Sequence, residues 1–135
     1  MIKKLSIMTQ NDKELLLKDL CARLPYKVKV NEAIHGDFTL IGLTNERVFT
    51  TCEVEGCHND FPIENIKPYL FPMSGMTEEE QRTLDSMCNG VEMVSRLSGL
   101  KMFDKAFNWL DENHFDYRGF IEKGLAIDAT GKNIY

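Results

Sequence analysis

Three features of this 135-residue chain predict an α+β fold: a helix-period segment near the start, four short alternating segments over 26–70, and further helix-period segments beyond residue 77. The architecture read from them is an N-terminal helix, a small SH3-like antiparallel β-barrel and a C-terminal helical subdomain. Residues 1–72 form the first unit and 73–135 the second, packed upon it. A chain of this length suits one domain, or one compact domain with an appended subdomain, and can bury a core without metals or disulfides.

The first helix is placed over 12–24. Asn11 serves as its N-cap with Glu14 three residues on, a capping-box arrangement. Leu16, Leu17, Leu20 and Leu24 form the apolar stripe with Cys21 beside it, Lys13, Lys18, Asp19 and Arg23 lie elsewhere, and Pro25 ends the helix. Tyr26, Val28 and Val30 alternate with Lys27, Lys29 and Asn31 as a strand with one wet face. Gly36-Asp37 breaks the chain before a second strand over 38–43, and Thr44-Asn45-Glu46 supplies a hairpin loop. A third strand covers 47–54, Glu55-Gly56 is the turn, and a fourth covers 57–63. Ile63, Ile66 and Leu70 then mark one helical turn leading to a last short strand at 67–71. Meander, helical turn and short final strand follow in the order found in SH3-like and Tudor-like barrels.

Pro72 to Met76 reads as a linker. Thr77 and Glu80 form a capping box for a helix that runs to Cys88 and stops at Asn89-Gly90, with Glu78, Glu79 and Glu80 in its first turn, where acids favour the dipole. Residues 91–99 suit strand or helix. From 101 to 113, Met102, Phe103, Ala106, Phe107 and Leu110 repeat on a helical face with Trp109 on its flank. Residues 119–127 read as a short helix packing on the previous one.

The formal net charge is −5, with 43% hydrophobic and 27% charged residues. Residues 1–72 carry nine Lys/Arg against ten Asp/Glu, and 73–135 carry seven against eleven. Neither half is the basic platform that phosphate neutralisation requires, so nucleic acid is an unfavoured partner. Met1 to Met8 resembles the start of a signal peptide, but polar Thr9 to Lys13 interrupts before an apolar stretch forms, and no segment approaches the roughly 18 apolar residues of a membrane span. The expected location is the cytoplasm, and the four cysteines are expected as reduced thiols.

The tempting chemical cluster is Cys52, Cys57 and His58. Zinc needs a second converging pair, and Cys21 and Cys88 are solitary in helical segments. A turn at Glu55-Gly56 sets Glu53 opposite His58 and Cys52 opposite Asn59, which puts the histidine and the cysteines on opposite faces. No metal and no cofactor are therefore expected. No phosphate loop, dinucleotide fingerprint, zinc-protease motif or nucleophile elbow occurs. Asp111, Glu112 and Asp116 read as solvated helix-end charges. No catalytic residue is assigned.

The stretch from Asn113 to Gly119 is the densest mixture of aromatic and polar groups. It reads as a helix–loop–helix corner in which Phe115 and Tyr117 cover the core and Arg118 pairs with Asp116 or a helix end. As a recognition patch its candidate binding residues are Trp109, His114, Tyr117 and Arg118, residue types enriched at interfaces.

Residues 13–26, 66–70 and 114–126 resemble a family of short hypothetical proteins of gut Bacteroides-type bacteria and their prophages. Members begin at a Met-Thr-Gln like Met8-Thr9-Gln10, so residues 1–7 read as an extension. The resemblance implies a bacterial or phage cytoplasmic protein and brings no functional residues with it. The function expected is a non-catalytic protein-binding or adaptor module, with phage or mobile-element biology as its setting. The alternative is a small enzyme or enzyme regulator with a cleft between barrel and helices.

Overall fold

The computed structural model describes residues 8–52, 58–88 and 96–135, with side chains described from 100 in the last stretch. Helices α1 (Gln10–Arg23), α2 (Glu78–Cys88) and α3 (Arg96–Glu112) accompany strands β1 (Lys29–Glu32), β2 (Gly36–Leu43), β3 (Arg47–Thr51), β4 (His58–Pro62), β5 (Ile66–Pro72), β6 (Phe115–Asp116) and β7 (Ile127–Asp128). The fold is α+β, and its sheet is open. The order is β4-β3-β2-β1-β5-β6 with β7 also on β5; β1 to β5 are antiparallel neighbours, and β6 and β7 join in parallel.

The closed SH3-like barrel therefore does not form among the described residues. Strand β5 pairs β1 through Ile66, Lys67 and Pro68, and its second half takes β7 at Tyr69-Leu70 and β6 at Phe71-Pro72. Among the described residues β4 pairs β3 alone, so it is left as an edge and the sheet does not close.

Helix α1 starts earlier than expected. Its N-cap is Thr9, whose hydroxyl accepts the Asp12 N–H at 3.1 Å, rather than Asn11. Its core face also differs: Leu16, Asp19, Leu20 and Arg23 are buried, while Leu17 and Leu24 are partly buried and Cys21 is exposed. Positions 16, 19, 20 and 23 follow the 3.6-residue period, so two charged residues sit within the stripe that enters the core. Leu16 and Leu20 join Val28, Val30, Leu40, Val48, Ile63, Ile66, Leu70 and Phe120 in that core.

The first strand begins later than read, because Lys27 adopts φ 56 after the Leu24–Tyr26 turn. The helical turn at Ile63–Asn65 and the Thr77/Glu80 capping box form as expected, the box with reciprocal bonds of 2.9 and 3.1 Å. In the third hairpin His58 lies opposite Thr51, not Glu53, and packs edge-on to Phe49. The turn itself, Cys57, the Asn89-Gly90 stop and residues 91–95 lie outside the described residues, as do 1–7; residues 96–99 belong to α3.

Where a short helix is expected over 119–127, residues 119–126 form turns and Ile127 opens β7. Gly119 and Gly124 take φ 74 and 75, a region that interrupts a right-handed helix, while Phe120 is buried. The first turn is held by buried Asp116, whose two carboxylate oxygens accept the Phe120 and Ile121 N–H groups at 2.9 Å each. Asp116→Ala leaves both donors short of a partner and is expected to cost about 2–3 kcal/mol in urea denaturation; a loss below about 1 kcal/mol would show that the glycines hold the turn unaided.

Candidate functional site

Helix α3 ends at the corner that the sequence singles out. Asn113 donates its backbone N–H to Trp109 O at 3.1 Å, and His114 donates to Asp111 O at 3.1 Å. His114 adopts φ 63, a left-handed conformation in which His, Asn and Asp are over-represented among non-glycine residues. This reversal turns the chain onto the sheet, where Phe71 N–H donates to His114 O at 2.8 Å. The imidazole lies flat on Tyr135, with ring centroids 3.6 Å apart and planes 11° from parallel. The Tyr135 hydroxyl accepts the Lys29 N–H at 2.9 Å and donates to Tyr69 O at 2.8 Å, bridging β1 and β5 just past their last paired residues.

A hollow of about 450 Å³ opens over this stack, walled by Phe71, His114, Phe115 and Tyr135, with Glu80 and Glu112 in its lining. The Phe71 ring stands 5.8 Å from Tyr135 and 6.4 Å from Phe115. His114 is 9% exposed, and its Nδ1 is buried with no hydrogen-bond partner among the described residues. Burial, with the Arg23 guanidinium as a second cause, pushes its pKa down to about 4, so the ring is neutral at physiological pH. Burial likewise holds the Tyr135 hydroxyl above its ordinary value.

Beneath the hollow lies a charge network. Arg23 and Asp19 are both 0% exposed. Arg23 Nε donates to Asp19 at 2.8 Å and its terminal nitrogen donates to Phe115 O at 2.6 Å, with Asp111 at 3.9 Å. Arg118 Nε donates to the second oxygen of Asp19 at 3.1 Å. Tyr117 donates its hydroxyl to Asp111 at 2.8 Å, and both guanidinium groups lie against its ring, at 5.3 and 5.1 Å. Two guanidinium groups thus face two carboxyl groups. Desolvation raises the Asp111 pKa, and the same burial with Asp111 alongside pushes the Tyr117 hydroxyl up to about 12.

The four candidate residues separate on this plan. His114 alone of them faces the hollow. Trp109 stacks on Phe115 at 5.7 Å, Tyr117 belongs to the network, and Arg118 pairs with Asp19 on α1 instead of Asp116 or a helix end. Asp111 and Asp116 are buried, while Glu112 is exposed, so only the last matches the reading of all three as solvated charges. Asp19, Arg23, Phe71 and Tyr135 were not singled out in sequence. The available signal was in α1, where positions 19 and 23 share the face of Leu16 and Leu20. No local pattern marks Tyr135, because its partners lie far along the chain.

Comparison with family models, curated proteins and solved structures returns no match. Among the described residues, no group of three or more His, Cys, Asp or Glu is placed to hold a metal ion. A larger hollow of about 530 Å³ beside α1 contains Lys13, Glu64 and Arg47; Lys13 pairs with Glu64, and Arg47 with Asp60. No described helix is long and apolar enough to cross a membrane.

Proposed function

We propose that this chain is a non-catalytic protein-binding or adaptor module that engages its partner through the outer face of α3. The observation that carries the reading is an exposed apolar stripe: Leu100, Phe103 and Phe107 are 62%, 44% and 47% exposed. Their spacing of three and four residues sets them on one helix face, and the Tyr117 ring, 5.2 Å from Phe107, extends it. Single exposed apolar residues are ordinary, but three large ones in line form the anchor pattern by which an amphipathic helix fits a groove. The net charge of −5 favours a protein over a nucleic acid as partner. The resemblance to Bacteroides-type and prophage proteins supports a cytoplasmic setting in bacterial or mobile-element biology.

Phe103→Asp with Phe107→Asp tests it. At exposed positions the pair is expected to change stability by about 1 kcal/mol or less, while affinity falls by about 30-fold or more if either ring is an anchor. Affinity capture from lysate of a Bacteroides-type gut bacterium, followed by mass spectrometry, reads the result. Equal recovery of the same partners by both proteins, or no specific partner with the parent, would sink the reading.

A further inference from the structure

We propose that the hollow walled by Phe71, His114, Phe115 and Tyr135 binds a small organic cation, a methylated ammonium group. The site is independent of the α3 stripe and would stand if that stripe bound nothing. Its walls are aromatic, and among the described residues its only charged lining groups are Glu80 and Glu112, both acidic. An anion finds no Lys or Arg in that lining, and the one titratable nitrogen base there, His114, is neutral. Arg23 below is compensated by Asp19 at 2.8 Å and faces Asp111 at 3.9 Å. A hard metal ion requires converging oxygen donors, and no such group exists among the described residues.

Aromatic faces attract alkylammonium groups through the ring quadrupole, and carboxylates at the rim add a longer-ranged attraction. The cavity's volume is in the range used for small ligands, about 300–1,000 Å³. His114 is nine-tenths buried in the wall and stacked on Tyr135 with ring centroids 3.6 Å apart, so that side of the hollow is in place before a ligand arrives. Glu80 is already positioned, because one of its oxygens accepts the Thr77 N–H at 2.9 Å.

The test is titration of the ¹⁵N-labelled chain with tetramethylammonium and with neopentyl alcohol, an uncharged molecule of similar bulk. Saturable shifts are expected at the amides of Phe71, His114 and Tyr135, with the cation binding about 5- to 30-fold more tightly than the alcohol. Glu112→Gln and Glu80→Gln are each expected to weaken the cation by about 2- to 5-fold. Neither should disturb the fold, since Glu112 is exposed and the side-chain amide oxygen introduced by Glu80→Gln still accepts the Thr77 N–H. Choline and an Nε-trimethyllysine amide, run side by side, distinguish a free metabolite from a modified side chain as the source, and binding of either supports the site. No saturable shift at these amides, equal binding of the alcohol, or a Glu80→Gln/Glu112→Gln double variant with unchanged affinity would overturn it.

Discussion

Arg23→Met is expected to lower unfolding stability by about 3–5 kcal/mol, a large share of what a domain of this size possesses. The methionine fills most of the space, so the loss is electrostatic. Asp19, 0% exposed, keeps only Arg118 at 3.1 Å among the described residues, and Phe115 O loses its donor at 2.6 Å. Asp111 loses its nearest guanidinium while remaining buried. An uncompensated carboxylate in that setting costs more than the ion pair contributed while intact. The contrast is Asp19→Leu/Arg23→Met, which removes both charges and leaves Arg118, 24% exposed at its side chain, able to turn to water. The double variant is expected to be more stable than the sum of the single losses by at least about 1 kcal/mol. Urea denaturation of the four proteins closes the cycle, and additive losses, or an Arg23→Met cost below about 1 kcal/mol, would show that the network is not energetically coupled.

Acidification is expected to weaken the protein through His114 before carboxylates dominate. Its imidazole titrates near 6.5 when unfolded and near about 4 when folded. Between those values the unfolded chain holds the extra proton, so stability is complete above 6.5 and falls as pH drops towards 4. The gap corresponds to a loss of up to about 3 kcal/mol. Glu32, Asp37, Glu64 and Asp128 titrate below their ordinary values and act at more acid pH, whereas Asp111, raised by burial, opposes the trend. Comparison with a variant that lacks the imidazole therefore isolates the histidine between pH 6.5 and about 5. His114→Asn tolerates the positive φ and cannot titrate, so its stability is expected to fall less than the parent's there, by the histidine's share. An Asn variant with the parent's slope in urea midpoints from pH 7 to 5 would refute the assignment.

The helices and β1 to β5 were legible because their signals are local. The Thr77/Glu80 box, the Ile63–Ile66 turn and the alternation of Val28 and Val30 each need only neighbours in the chain to be recognised. The element boundaries moved where backbone conformation intervened, as at Lys27 and at Gly119 and Gly124. Of the binding candidates, His114 reaches the hollow because its left-handed turn points it to the sheet. Tyr117 and Arg118 were chosen for residue type, which does not distinguish an exposed hot spot from a buried charge partner.

By itself, then, the sequence determined an α+β chain, its order of periodic elements, and a corner rich in aromatic and polar groups after α3. Only the tertiary structure decided that the sheet stays open, that Asp19 and Arg23 are buried, and that an aromatic hollow forms. Those outcomes rest on contacts made across 92 residues from Arg23 to Phe115, 99 from Asp19 to Arg118 and 106 from Lys29 to Tyr135. A charged residue on a helix reads as solvated until a distant segment brings it a partner, and burial without that partner would cost more than the fold could bear.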